Sequence, residues 1–327
     1  MKDQEVRWGI IGVGDVCEKK SAPAMKIIPH SSIEAVMRRD KEKAADYAHR
    51  HQIDKWYDNA EKLVQDPQVN AIYIATPPSS HLQYTVMAAA AGKPVYVEKP
   101  MAISHDECLR MLQACEQSSV PLYVAYYRRA LPNFLKVKEL VLNGVLGEIR
   151  CVEIRLFKSS ESDTAAGSEN WRVNPVISGG GHFVDLASHQ FDFLDFLFGP
   201  VEKVSGYACN QADLYPAEDI VSASFQFGNG VIGQGIWCFT APPDGEIEEM
   251  TITGSKGRVT FACFGSPNLK LEISGKPVEE LQFDYPFHIQ QPLIQSIVAD
   301  LLGTGEAPST GVSAARTNLI MDEILRS

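Results

Sequence analysis

The sequence predicts an α/β protein: a Rossmann-type doubly wound parallel sheet, then an α+β domain built on a large, mostly antiparallel open sheet. Three observations carry this. From Val6 to about Tyr126 short apolar runs alternate with helical patterns, the rhythm of strands joined by crossover helices. After Pro132 that rhythm gives way to strands joined by hairpin signals. At 327 residues the chain is long for one core and comfortable for two, which places a dinucleotide-binding domain at 1–128 and a substrate-binding and oligomerisation domain at 129–327. The closing helices are free to pack back on the first domain.

In order, the first domain's strands are read at Arg7 to Val13, Ile33 to Met37, Ala71 to Ala75, Val95 to Glu98 and Leu122 to Ala125, with a short one at Trp56-Tyr57. Ser104-His105-Asp106-Glu107 is a capping box before Leu109, Met111 and Leu112. Gly92 ends the helix that starts near Ser80. Beyond Pro132 a helix runs to about Leu142, a strand spans Glu148 to Phe157, and a polar loop leads through Trp171-Arg172 to Gly179-Gly180-Gly181 and a phenylalanine-rich helix. Gly228-Asn229-Gly230 then separates Val221 to Phe227 from Val231 to Phe239, and Gly254-Ser255-Lys256-Gly257 separates Glu248 to Thr253 from Arg258 to Phe264. Two helices close the chain, near 288–302 and 312–325. The few helices of this half can cover the sheet on one face only, which should leave Phe, Trp237 and small residues on the other and favour a homodimer.

Composition excludes several functions. A hydrophobic content of 45% with 22% charged residues describes an ordinary globular protein. The net charge is −11 without a basic block, which argues against nucleic acid or anionic membrane as main partner. The seven cysteines are dispersed and contain no Cys-x-x-Cys pair, so neither structural zinc nor a disulfide framework is expected. The first strand begins within about eight residues of Met1, too close for a signal peptide. No apolar run reaches about 18 residues, so a cytoplasmic protein is expected.

Chemistry concentrates in two places. Gly12-Val13-Gly14-Asp15-Val16-Cys17 follows the first strand as Gly-x-Gly-x-x-Cys: Gly12 makes a tight turn, Gly14 admits a pyrophosphate to the backbone, and Asp15 and Val16 open the helix whose amides would hold it. At the end of the second strand, where a cofactor lacking a 2′-phosphate normally meets an acid, the chain reads Arg38-Arg39-Asp40. Two guanidiniums suit a phosphate. NADP(H) is therefore favoured, with NAD(H) possible should Asp40 reach the ribose. The second place pairs Lys99, at the C-terminal end of an apolar strand, with His182, Asp185, His189 and Asp192, which share one face of the phenylalanine-rich helix. Such a stripe is also compatible with satisfied polar residues at a domain boundary, or with a metal site.

Gly-Ile-Ile-Gly-Val-Gly at 9–14, Ala75-Thr76-Pro77-Pro78-Ser79-Ser80-His81, Glu98-Lys99-Pro100, Trp171-Arg172 and Gly-Gly-Gly-His-Phe-Val-Asp-Leu-Ala-Ser-His at 179–189 together resemble the Gfo/Idh/MocA oxidoreductases over nearly the whole chain. The resemblance implies roles: Lys99 between nicotinamide and substrate, Asp185 orienting the substrate, His189 exchanging a proton, Thr76 and Pro77 supporting the nicotinamide with His81 and Glu98 nearby. Cys17 and His182 depart from the family's commonest choices. Within the family the arginine pair looks closest to NADPH-dependent members that reduce 1,5-anhydro-D-fructose. The expected partner is thus a small sugar-like molecule, with Tyr127, Arg128, Trp171, Arg172, His182 and His288 as further contacts, joined by Arg129 and Tyr285, and no bound metal. An NAD-dependent inositol, sugar or dihydrodiol dehydrogenase is the alternative enzyme, and a non-catalytic NADP(H)-binding regulator the alternative of another class.

Overall fold

In the computed structural model, which describes residues 4–161 and 170–326, the first apolar run becomes β1 (Val6–Ile11). It is followed by β2 (Ser31–Met37), β3 (Lys55–Tyr57), β4 (Ala71–Ile74), β5 (Val95–Val97) and β6 (Leu122–Val124). These pair in parallel in the order β3-β2-β1-β4-β5-β6. Both faces are covered, which is why the strands read as continuous apolar runs. Ile10, Ile11, Ile72, Ile74, Val95 and Val97 are fully buried, each contributing roughly 1.5–3 kcal/mol. Between the strands lie α1 (Ala22–Ile27), α2 (Lys41–Arg50), α3 (Ala60–Gln65), α4 (His81–Ala90) and α5 (His105–Gln117). Ser104 caps α5 by accepting from the Glu107 amide at 3.3 Å. β1 stops two residues short of the expected Val13 because Gly12 turns the chain at φ +95°.

The second sheet takes the order β14-β13-β12-β11-β7-β10-β9-β8. Its strands are β7 (Ile149–Ser159), β8 (Val201–Cys209), β9 (Ile220–Phe227), β10 (Ile232–Ala241), β11 (Ile247–Gly254), β12 (Gly257–Phe261), β13 (Leu269–Ile273) and β14 (Glu279–Leu281). β7 and β10 run parallel; every other pair is antiparallel. α6 (Pro132–Leu142) and α7 (Gly181–Phe198) belong to this half. α7 lays its aromatic stripe on the sheet, with Phe183 5.2 Å from Trp237 and Phe191 5.2 Å from Phe225. The Trp237 indole N–H donates to Gln190 Oε1 at 2.6 Å. This corrects the expected division of the faces: Trp237, Phe225 and Phe227 are buried under the helix, and the open face carries Ser222, Ser224, Gln234 and Glu153 instead. The polar loop expected before Trp171 lies largely outside the described residues.

Two compact units result, Met1–Ala130 with Pro286–Ala315, and Leu131–Tyr285 with Arg316–Ser327. The chain therefore returns to its first unit near the end, through α8 (Gln291–Leu301) and the start of α9 (Gly311–Arg326). There the Ser309 hydroxyl donates to the Val124 carbonyl of edge strand β6 at 2.8 Å. Among the described residues no helix is long and apolar enough to cross a membrane.

Candidate functional site

The strand order of the first unit reverses between β1 and β4, and in open α/β sheets ligands collect at the carboxyl ends of the strands beside such a point. A cleft of about 350 Å³ lies there, lined by Gly12, Gly14, Arg38, Arg39, Thr76 and Pro77 among others. Gly12 has no substitute: a Cβ would sit 2.6 Å from Thr76 Cγ2 and 2.8 Å from the Ala75 carbonyl oxygen. Around Gly14 nothing lies within 4 Å of a built Cβ, so the room above it is open to a ligand. Asp15 is exposed and pairs with Lys19 at 3.1 Å; Val16 is half-buried at the helix start. Cys17, in the third-glycine position, is fully buried with Sγ 3.4 Å from the Gly12 carbonyl oxygen. Burial pushes its thiol up to about 12, which keeps it a neutral, small packing group. A π-helical turn, Cys17–Ser21, follows.

At the end of β2 the Arg38 guanidinium donates to the Val13 carbonyl at 3.0 Å, anchoring it beside the glycine turn. Asp40 accepts from the Lys43 amide at 3.1 Å and caps α2. Thr76 accepts from the Ser80 hydroxyl at 2.7 Å. His81 stands behind this turn and does not line the cleft. It is fully buried, with Nε2 2.7 Å from the Thr76 carbonyl oxygen and Nδ1 3.2 and 3.1 Å from those of Pro100 and Met101. Glu98 is likewise buried. Its carboxylate accepts from Tyr73 Oη at 2.6 Å, Gln290 Nε2 at 2.8 Å and the Lys99 amide at 3.3 Å, while Gln290 Oε1 accepts from Tyr96 at 3.1 Å. Lys99 follows directly, joined to Pro100 by a cis peptide bond. Tyr127 and Arg128 are buried in a short turn, the guanidinium 4.9 Å from the Tyr127 ring centre. His288 is half-buried beside the exposed Phe287 ring.

In the second unit Gly179, Gly180 and Gly181 all take positive φ, and a Cβ on Gly181 would lie 2.4 Å from that of Ala217. The triplet thus sets the start of α7 and aims its polar stripe. A cleft of about 280 Å³ brings together Arg172, His182 and Asp185 with Lys158, Phe239 and Glu246. Arg172 Nε lies 3.5 Å from Asp185 Oδ2, its guanidinium over the Trp171 ring at 4.7 Å. His182 is set between the rings of Tyr215 and Phe239, at 5.8 and 5.4 Å. Glu246 accepts from the Ser159 amide at 2.8 Å and pairs with Lys158 at 3.4 Å; these hold its carboxyl below the usual range, the amide foremost. His189 and Asp192, further along the stripe, are buried. Lys158, Phe239 and Glu246 escape sequence reasoning because they come from separate segments with no shared motif. Among the described residues no group of three or more His, Cys, Asp and Glu is placed to hold a metal ion.

A parallel sheet with a glycine turn and an adjacent cleft, joined to a second domain with its own polar cleft, defines a nicotinamide-dependent oxidoreductase class of fold. The chain belongs to the Gfo/Idh/MocA family: residues 6–126 match the model of its NAD-binding Rossmann fold, described as an oxidoreductase family, and 134–260 match a C-terminal domain of the family. It is 40% identical over 321 residues to oxidoreductase P35 of Formosa agariphila, covering 98% of each chain. Pig trans-1,2-dihydrobenzene-1,2-diol dehydrogenase is 28% identical, covering 97% of this chain and 94% of that one. The 1,5-anhydro-D-fructose reductase of Ensifer adhaerens is also 28% identical, over 72% of this chain and 69% of that one. Levoglucosan dehydrogenase in complex with NADH and levoglucosan shares the fold at a TM-score of 0.90 and 20% identity, covering 99% of this chain and 97% of that one.

Proposed function

We propose that this oxidoreductase uses NADP(H) to reduce a small keto sugar or related polyol carbonyl, with 1,5-anhydro-D-fructose the first compound to assay. The observation that carries the reading is the end of β2: Arg38, Arg39 and Asp40 all line the nucleotide cleft, two guanidiniums to one carboxylate, and that carboxylate also accepts from the Lys43 amide to cap α2. A free ribose hydroxyl calls for a carboxylate at this point; a 2′-phosphate calls for guanidinium. The first cleft fits such a cofactor, since it keeps an open approach at Gly14 beside a turn that tolerates no side chain at Gly12.

When bound, the nicotinamide supplies hydride chemistry. The chain's own residues do the rest. Lys99 hydrogen-bonds the substrate oxygen and stabilises its developing negative charge. His189 exchanges the accompanying proton. Asp185, paired with Arg172, orients a substrate hydroxyl. The second cleft, with charged groups and one aromatic wall in about 280 Å³, suits a single polyhydroxylated ring. Reduction of 1,5-anhydro-D-fructose with NADPH is expected to be faster than with NADH, and Arg38→Asp is expected to remove the preference. The test is a panel of anhydro-, keto- and aldo-sugars, inositols and dihydrodiols followed by nicotinamide absorbance with both cofactors. Activity confined to NAD-linked oxidation of inositols or dihydrodiols would overturn it.

A further inference from the structure

Phe264 makes a contact that the proposed chemistry does not itself require. Its ring meets the buried His189 imidazole nearly edge to face, centroids 5.8 Å apart and planes at 73°. Phe264 lies outside the regular strands, and its position has a specific cause. β11 and β12 pair antiparallel out to Met250↔Phe261; continuing that register sets Glu248 opposite Cys263, where the ladder has ended. There a side chain replaces the strand. The Glu248 carboxylate accepts the backbone N–H groups of Cys263, Phe264, at 2.8 Å, and Gly265. Bonds to an ionised acceptor are roughly twice as strong as neutral ones, and three on one carboxylate leave the loop little freedom. From the other side the Tyr285 hydroxyl donates to the Gly265 carbonyl at 3.2 Å.

We infer that Glu248 is a positioning residue for His189, acting through Phe264: the carboxylate fixes the 263–265 loop, and the Phe264 ring fixes the orientation of the imidazole. The catalytic half rests on the reading of His189 as proton donor; the contact itself does not. Proton transfer depends steeply on placement, and an error of about 1 Å at a reacting group costs on the order of 100-fold.

The test uses the intact chain labelled with ¹³C at histidine Cε1, with the His189 signal assigned by its loss in His189→Gln. A ring at 5.8 Å displaces that signal. Phe264→Leu and Glu248→Ala are both expected to move it, Phe264→Tyr to leave it in place, and Glu248→Gln, which keeps one acceptor oxygen, to fall between. In single-turnover reduction of 1,5-anhydro-D-fructose by NADPH, Phe264→Leu and Glu248→Ala should each slow the step about tenfold at saturating substrate, with KM little changed. The double variant should be no slower than either, because the two act in series. An unmoved His189 signal in Glu248→Ala, or rate losses that multiply in the double variant, would overturn the inference. A wild-type rate in His189→Gln would instead remove the proton-donor reading and leave the spectroscopic result to stand.

Discussion

His81 lies between the carbonyl of Thr76, just after β4, and those of Pro100 and Met101, just after β5; a neutral ring donates its single N–H to one side only, and its protonation state has a consequence for stability. Burial lowers its pKa, and the carbonyls of Thr76, Met101 and Pro100 raise it by less, so the folded protein holds the ring neutral where an unfolded chain would protonate it near 6.5. With the folded value below the unfolded one, this contribution is complete above about pH 6.5 and is lost as pH falls from there through the folded value. Urea unfolding midpoints should therefore fall between about pH 7 and pH 5. In His81→Gln, less stable at neutral pH, that fall should be smaller; an equal fall would assign it to other groups. For the proposed chemistry, Lys99→Ala and His189→Ala are each expected to lower kcat by about 100-fold or more while NADPH binding, followed by fluorescence, stays largely intact. Near-wild-type turnover in both would move the reacting groups elsewhere.

At the scale of elements, the turn after β1 contains two glycines kept for different reasons. Gly12→Ala combines a positive φ with a collision against Thr76 and the Ala75 carbonyl, so it should cost about 1–3 kcal/mol of stability along with cofactor affinity. Gly14→Ala meets nothing within 4 Å; thermal melting should be unchanged while NADPH binding weakens. Equal melting losses in the two variants would remove the distinction. The alternation of apolar runs and helix signals made β1 to β6 legible because a parallel sheet covered on both faces needs such runs. Hairpin signals did the same for β9 to β12. Legibility stopped where distant segments meet. The period of β9 and β10 says that Phe225, Phe227 and Trp237 share a face, yet only α7 packing on it says that this face is the covered one. β12 was expected to reach Phe264 and stops at Phe261, since Glu248 captures the amides beyond it. The parallel β7–β10 pair leaves no local signal at all. Of the sites, the glycine turn and arginine pair were visible as contiguous motifs; Lys158, Phe239 and Glu246 were not, being neighbours in space only.

For the molecule as a whole, the open face of the second sheet is mostly polar, with cross-strand pairs such as Gln234 to Glu153 at 3.3 Å. It also carries Tyr207, 84% exposed, and Ile232, 56% exposed. The ground for a homodimer in exposed Phe and Trp237 is gone, since α7 covers them; we propose one instead through Tyr207 and Ile232, its mass to be read by light scattering at micromolar concentration. Tyr207→Lys with Ile232→Lys should yield monomers that still bind NADPH; a monomeric parent protein would refute the proposal. Within the first unit, Gln290→Leu would deprive buried Glu98 of a donor and Tyr96 of its acceptor, a loss of about 1–3 kcal/mol readable by urea denaturation. That hydrogen bond spans 192 positions of sequence. During synthesis at roughly 5–20 residues per second, the Rossmann strands leave the ribosome roughly 10–40 s before their glutamine arrives. Through that interval the nascent sheet holds an acid that has Tyr73 and the Lys99 amide but lacks its third donor, so the first part of the chain to be translated is among the last to be finished.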